Sequence, residues 1–312
     1  KLTESVQLLH APLRLSILSD GVVTWNLAGE GAVNGAGQTI MYSKNGGTWT
    51  NLTSTVEGSS VSVQAGDALQ FKAAAGETTP DIPAFGPHSY TYTDEEEVEQ
   101  TTSVSSRFGG TCNFNVSGNI TSLLWNSMAD WHGDDDTLTT GYVFASLFQD
   151  CTGLVNAENL ILPATHLSQY CYNALFSGCS NLTRGPKELP ATALPAGCYY
   201  SMFYNCESLI EAPKLVVNSV GENSCRPMFN GCSSLVNVEV ELNATTMATQ
   251  CYRAMFNNFT NFTTLITLPA TTLATYCYYC MFQNCSSLTQ CTETIPETGA
   301  APQYAFVNMY YG

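Results

Sequence analysis

Positive charge is scarce in this chain: 10 Lys and Arg stand against 26 Asp and Glu, a formal net charge of −16 over 312 residues. That balance repels the phosphate backbone of nucleic acid and anionic membrane surfaces, so neither is an expected partner. Histidine is scarcer still, with four (His10, His88, His132 and His166), none of which has a partner at metal-ligand spacing. No run of about 18 apolar residues occurs, so no membrane-spanning helix is predicted. There is no Gly-x-Ser-x-Gly, no phosphate loop and no dinucleotide fingerprint. No local motif therefore marks a reaction centre, and the chain is expected to be no enzyme and to carry no cofactor. The cluster His132-Gly-Asp134-Asp135-Asp136 could hold calcium through its oxygens, but lacks the alternating spacing and distal glutamate of an EF-hand loop. A solvated loop is expected there, and no metal is assigned.

What the chain does contain is a period. Phe148, Phe176, Phe203, Phe229, Phe256 and Phe282 follow one another at gaps of 28, 27, 26, 27 and 26 residues. Leu162, Leu189, Leu215, Leu242, Leu268 and Ile295 keep step at gaps of 27, 26, 27, 26 and 27. A fixed period of this size is the signature of stacked repeats, each one coil of a solenoid. One coil reads Leu268-Pro-Ala-Thr-Thr-Leu273-Ala-Thr-Tyr-Cys277-Tyr-Tyr-Cys-Met281-Phe282-Gln-Asn-Cys285-Ser-Ser-Leu288. Its apolar spacing fits neither one long helix nor one long strand, and suits a coil that turns several corners. The Leu-Pro phrase should end a strand, since proline cannot donate to a ladder. Met-Phe-x-x-Cys is short enough for a single helical or 3₁₀ turn. The stretch before each Leu-Pro, such as Ser208–Leu215, should hold the strand of a parallel sheet.

The coil at 268–288, with its echoes at 162–182, 189–209, 215–235 and 242–262, resembles the BspA-like leucine-rich repeat. That family occurs in bacterial surface proteins, many from Bacteroides-type anaerobes. In its usual phrase Ile-Pro is followed by inward Val and Ile, then Ala-Phe, Cys and Leu. Here Leu-Pro, Leu273, Cys277, Met281-Phe282, Cys285 and Leu288 hold those places. Departures occur. Leu-Pro becomes Leu215-Val216 and the first cysteine of that coil falls one residue late, at Cys225. Phe259 and Phe262 replace the second cysteine and the leucine of the coil from 242, and the coil from Ile295 degrades.

Residues 1–104 lack the repeat. Strand-like runs at Leu13–Leu18, Val22–Leu27, Thr39–Ser43, Thr48–Leu52, Val61–Val63 and Ala68–Lys72 alternate with turn signals, of which Asn45-Gly46 is a hairpin mark. Short strands at this spacing suggest an antiparallel β-sandwich. The segment resembles the immunoglobulin-like or fibronectin-III-like modules that precede repeats in bacterial surface proteins, as does its Tyr42-Ser-Lys-Asn-Gly-Gly-x-Trp49 phrase. Residues 76–105, with three prolines and the acidic run Asp94–Glu99, are expected to be a loop or linker. Thr111–Val116 and Asn119–Trp125 are expected to be a β pair capping the first coil. The expected fold is thus mainly β with short helical turns: a sandwich plus linker over 1–104, then a leucine-rich repeat solenoid with a parallel sheet over 105–312. Its cap spans 105–137, and repeats of 26–28 residues fill 138–312.

Nine of the thirteen cysteines occupy the two repeat positions, and Cys151 fits the second position of a partial first coil. The count is odd, no histidine recurs with them, and Phe259 replaces one without breaking the period. Buried, reduced thiols packing as small hydrophobes are therefore expected.

The resemblance implies a cell-surface or extracellular protein, exported by a signal that this chain does not show. The expected function is non-catalytic binding or adhesion to a host or bacterial macromolecule, with a protein or glycan ligand and a monomeric state. The expected binding face carries Arg184, Lys187, Glu188, Glu211, Lys214, Asn237, Glu239 and Glu241, which lie between one inward leucine and the next. The alternative is a glycan-binding accessory protein of a polysaccharide-uptake system. Its platform would be Tyr172, Tyr199, Tyr252 and Tyr278, which share one repeat position. If exposed they form a stacking stripe for sugar rings; if buried they are core.

Overall fold

A computed structural model describes residues 11–29, 37–74, 85, 88–93, 99–125, 136–236, 238–260, 266–287, 292–293, 302 and 304–310. The chain is mainly β. In its first part, β1 (Leu13–Ile17), β2 (Gly21–Ala28), β3 (Thr39–Lys44), β4 (Thr50–Thr53), β5 (Ser59–Val63) and β6 (Ala68–Ala73) follow the predicted runs. Alternation decides which face is buried. Leu13, Leu15 and Ile17 of β1 and Val23, Trp25 and Leu27 of β2 point inward. After β3, Asn45 and Gly46 take φ of 54° and 73°, and the Gly47 N–H donates to the Lys44 carbonyl at 2.9 Å. Two successive positive φ values are what a type I′ turn demands.

The expected linker is in part strand. β7 (His88–Thr93) pairs antiparallel with β8 (Glu99–Gly110), and β8 pairs with β2. The three prolines before β7 and the acidic run between the strands made the segment read as a linker. The acidic run at 94–98 lies outside the described residues, as do 131–135 of the candidate calcium cluster. The sheet β5-β2-β8-β7 faces a six-stranded one, β10-β9-β1-β6-β3-β4, in which β9 is Phe114–Asn119 and β10 is Leu154–Ile161. The second half of the expected β pair is instead a 3₁₀ turn, Ile120–Leu124. Asn119 caps it, its side chain accepting from the Thr121 N–H at 3.0 Å.

From 138 onward each repeat lies on the next in parallel register. The strands are β11 (Glu188–Leu189), β12 (Ala193–Leu194), β13 (Lys214–Val217), β14 (Ser219–Val220), β15 (Val240–Leu242), β16 (Thr267–Leu268) and β17 (Thr292–Glu293). β11, β13 and β15 form one parallel sheet, and β12–β14 and β16–β17 form parallel pairs. β11 and β16 stop at the leucine before Pro190 and Pro269. β13, where Val216 stands in place of proline, runs on to Val217.

The Met-Phe-x-x-Cys phrase is no helix, which corrects the expected helical turn. It belongs to a ribbon of overlapping β-turns. Asn173, Leu175, Ser177 and Cys179 donate their N–H three residues back, to Tyr170, Tyr172, Ala174 and Phe176. The intervening Tyr172, Ala174, Phe176 and Gly178 donate to Cys198, Tyr200, Met202 and Tyr204 of the next repeat, at 2.8–3.1 Å. Every fourth residue is left-handed: Tyr170, Ala174 and Gly178 have φ of 55°, 52° and 75°. The third such site in successive repeats holds Asp150, Gly178, Asn205, Gly231, Asn258 and Asn284. These are the residue types that tolerate positive φ.

This four-residue rhythm sends two side chains in and two out. Cys171 and Tyr172 are buried, Asn173 and Ala174 half-buried, and Leu175 and Phe176 buried again. Two aromatic columns result. In one, Phe108, Phe148, Phe176, Phe203, Phe229, Phe256, Phe282 and Tyr310 stack at centroid distances of 5.3–6.0 Å and interplanar angles of 6–18°. In the other, Phe85, Phe144, Tyr172 and Tyr199 stack at 5.9–6.2 Å, and Tyr252, Tyr278 and Phe306 at 5.7–6.0 Å. Cys225 fills the tyrosine's place between them, and Ser224 that of the cysteine. The displaced cysteine is therefore a change of residue within an unbroken register, since Tyr199 N–H still reaches Ser224 O at 2.9 Å.

Phe108 lies on β8, and Phe85 precedes β7. Their N–H groups reach Leu147 O and Val143 O at 2.8 and 2.9 Å, as a ladder residue reaches the repeat after it. The expected boundary at 104 consequently falls inside β8, and one buried cluster runs from Leu13 to Met309.

The cysteines supply a third regularity. The described cysteines form no disulfide, and all except half-buried Cys285 are buried. The thiols of Cys179, Cys206, Cys232 and Cys285 donate to the carbonyls of Phe148, Phe176, Phe203 and Phe256, each one repeat back, at 2.9–3.0 Å. Burial pushes the thiols of Cys151, Cys171 and Cys225 from 9.0 up to about 12.

Three outcomes follow. Phe203→Ala should cost about 3–5 kcal/mol in a urea unfolding curve, as the loss of a buried phenylalanine does. Phe229→Ala should behave alike, and unchanged midpoints in both would dissolve the stack. Between pH 9 and 12 the unfolded chain loses thiol protons that the folded chain keeps. Thiol burial therefore contributes its full stability below pH 9, and this is lost as pH rises towards 12, by about 1.4 kcal/mol per pH unit for each ionised thiol. The melting temperature should hold from pH 6 to 8 and fall steeply above 9. A sulfhydryl reagent should find few thiols in the native protein and most of the thirteen in urea without reductant.

Candidate functional site

The segments between one inward leucine and the next line a cavity of about 420 Å³ across three repeats and β10. Arg184, Lys187, Glu211, Lys214 and Glu239, all expected on the binding face, meet there, joined by Glu158, Gly185, Pro186, Ala212 and Val238. Parallel stacking makes neighbours of residues that are 26 or 27 apart in the chain. Isolated backbone bridges tie Asn156 to Arg184 and Arg184 to Glu211, and Lys214 N–H donates to Lys187 O at 2.9 Å. Gly185 is needed at the wall. A Cβ there would come within 3.0 Å of the Phe203 ring, so the backbone crosses directly over the aromatic column.

Arg184 forms an ion pair with Glu211, their side chains 36% and 46% exposed. A pair this wet is worth at most about 1 kcal/mol, so an incoming partner can exchange it cheaply. Glu158, Lys187, Lys214 and Glu239 have no ionic partner within 4.0 Å among the described residues. Positive and negative groups are thus interleaved around an open space.

The remaining expected residues fall elsewhere. Glu188 and Glu241 are exposed on β11 and β15 but do not line the cavity. Asn237 lies outside the described residues. Glu158 was missed because the first repeat departs from the phrase that aligned the others, and only the β9–β10 pairing places it.

Tyr172, Tyr199, Tyr252 and Tyr278 are 0–2% exposed, which removes the stacking stripe at these positions. The two-in, two-out rhythm is the reason: the cysteine and the tyrosine after it form one inward pair. Burial holds the hydroxyls of Tyr172, Tyr199 and Tyr252 well above their usual pKa of 10.0. The half-exposed rings are other tyrosines of the ribbon, Tyr142, Tyr170, Tyr200, Tyr276 and Tyr279.

Among the described residues, no cluster of three or more His, Cys, Asp or Glu is placed to hold a metal ion. Likewise, no helix is long and apolar enough to cross a membrane. Comparison of the chain with protein-family models, curated proteins and solved structures returns no match.

Proposed function

We propose that the chain is a non-catalytic binding protein of the cell surface, exported and acting in adhesion to a host or bacterial macromolecule. In this reading an immunoglobulin-like or fibronectin-III-like sandwich caps a BspA-like leucine-rich repeat solenoid, and the interleaved-charge groove is the recognition site. One observation carries it: the groove is lined by the segments that vary between repeats while the phrase beneath them stays constant. Arg184-Gly-Pro-Lys187, Glu211-Ala-Pro-Lys214, Asn237-Val-Glu-Val240 and Thr264-Leu-Ile-Thr267 fill equivalent places. Lysines and glutamates without ionic partners among the described residues, set around apolar Pro186, Ala212 and Val238, suit a polypeptide partner carrying both charges. Complementarity of this kind sets specificity and association rate more than affinity. The alternative, a glycan-binding accessory protein, no longer has the buried tyrosines as its platform.

The test uses the full chain, because a fragment starting at 105 would cut β8 and strip Phe108 of Trp25 and Phe71, which pack against it. Lys187→Glu with Lys214→Glu should leave the circular dichroism spectrum and melting temperature unchanged. Binding to a ligand isolated by cell-adhesion screening should weaken at least tenfold, about 1.4 kcal/mol. Unchanged binding by the folded double variant would place the site elsewhere.

A further inference from the structure

The outward residue three before each ladder aromatic makes a column of its own: Tyr200, Arg226, Arg253 and Tyr279 in four consecutive repeats. All four are half-buried. The Arg226 guanidinium lies 5.8 Å from the centre of the Tyr200 ring. That of Arg253 lies 5.0 Å from Tyr279 and 5.6 Å from Tyr276. Between the arginines, the Gln250 Oε1 accepts from the Nη1 of both, at 2.6 and 2.8 Å. Arg226 Nη1 also reaches Asn223 Oδ1 at 3.3 Å.

Two like charges sharing one amide oxygen repel each other, and in a chain this acidic a carboxylate partner would be expected between them. Among the described residues none lies within 4.0 Å of either guanidinium. The neighbouring Glu222 carboxylate accepts from Asn223 Nδ2 at 3.4 Å instead. Burial, and then the charge of Arg253, lower the Arg226 pKa. Each guanidinium carries five N–H donors. Only those on the two Nη1 atoms meet protein acceptors among the described residues. The remaining donors, on two rigid forks fixed by aromatic faces, suit a planar oxyanion bound bidentately.

We propose that Arg226 and Arg253, clamped between Tyr200 and Tyr279, bind the carboxylate of an acidic sugar. The surroundings select the class. On both sides of the arginine pair the surface is rich in hydroxyls, amides and half-exposed rings, with the exposed Glu222 at its margin: Tyr200 and Asn223 lie towards one end, Tyr276, Tyr279 and Tyr304 towards the other. One carboxylate flanked by hydroxyls and weakly apolar C–H faces matches that pattern. A peptide dense in acidic side chains does not, because it offers the tyrosine rings and amides neither sugar hydroxyls nor the C–H face of a pyranose ring.

The probe is trigalacturonic acid, titrated calorimetrically into the full chain, with neutral galactotriose and a hexaglutamate peptide as controls. Trigalacturonic acid should bind and raise the melting temperature in proportion to its concentration. The neutral sugar and the peptide should bind at least tenfold more weakly. Arg226→Gln with Arg253→Gln should weaken trigalacturonic acid binding at least tenfold while keeping the wild-type circular dichroism spectrum. Arg226→Lys with Arg253→Lys keeps the charge without the planar fork and should lose most of the binding too. Absence of binding, equal binding of the neutral sugar or the peptide, or undiminished binding by the folded glutamine variant would each overturn the proposal. Lys187→Glu with Lys214→Glu should leave trigalacturonic acid binding unchanged, which separates this site from the groove.

Discussion

The hydrogen bond from each ladder aromatic to the repeat beyond it sets the spacing on which the rest depends. Phe176 N–H reaches Met202 O, Phe203 reaches Met228 and Phe256 reaches Met281, at 2.9–3.0 Å. Backbones held this close bring the rings into offset stacking, which aromatic quadrupoles favour. They also bring the thiols of Cys179, Cys206, Cys232 and Cys285 within reach of a carbonyl one repeat back. No repeat could bury its inward residues alone, so burial and hydrogen bonding are both shared between neighbours and the stack is cooperative.

A stack of this kind needs a closed first layer, and here the two sheets of the first part provide it. β9 pairs antiparallel with β1 in the six-stranded sheet and in parallel with β10, where the register shifts twice, so one strand joins antiparallel to parallel pairing. Phe108 is at once a core residue of the first part, against Trp25 at 4.8 Å and Phe71 at 4.9 Å, and the first rung of the aromatic column. An exposed ion pair between Arg107 and Asp150 at 3.0 Å runs alongside. The two parts therefore share one core.

Departures from the repeat show which features the stack tolerates. Pro227 cannot adopt positive φ, and its repeat lacks the middle left-handed residue, yet Phe229 stays in the column at 5.5 Å from Phe203. Cys225 interrupts the tyrosine column without shifting it. Phe259 stands where a cysteine would and packs edge-on to Phe256 at 5.8 Å. Backbone register survives each change because the inter-repeat hydrogen bonds do not depend on side-chain identity. Surface residues are freer still, which is how one scaffold presents an interleaved-charge groove between the leucines and an arginine–tyrosine column on the turn ribbon.

The sequence by itself determined the period, the first six strands, the proline-terminated strands and the burial of the cysteines. Each of these rests on spacing or on a local preference that a residue carries wherever it sits. Five of the eight residues expected on the binding face do meet in the groove, because equal offsets in a stacked array become neighbours. Tertiary structure alone decided the rest. Phe108 stands 40 residues before Phe148, outside the period, so the capping role of β8 was invisible. Whether a tyrosine beside a cysteine faces in or out depends on a left-handed residue every fourth position, which Tyr170, Ala174 and Ser201 adopt against their own preference because hydrogen bonds to the next repeat hold them there. The pairing of Arg226 with Arg253 needed the same register, since only stacking sets two like charges 27 residues apart side by side.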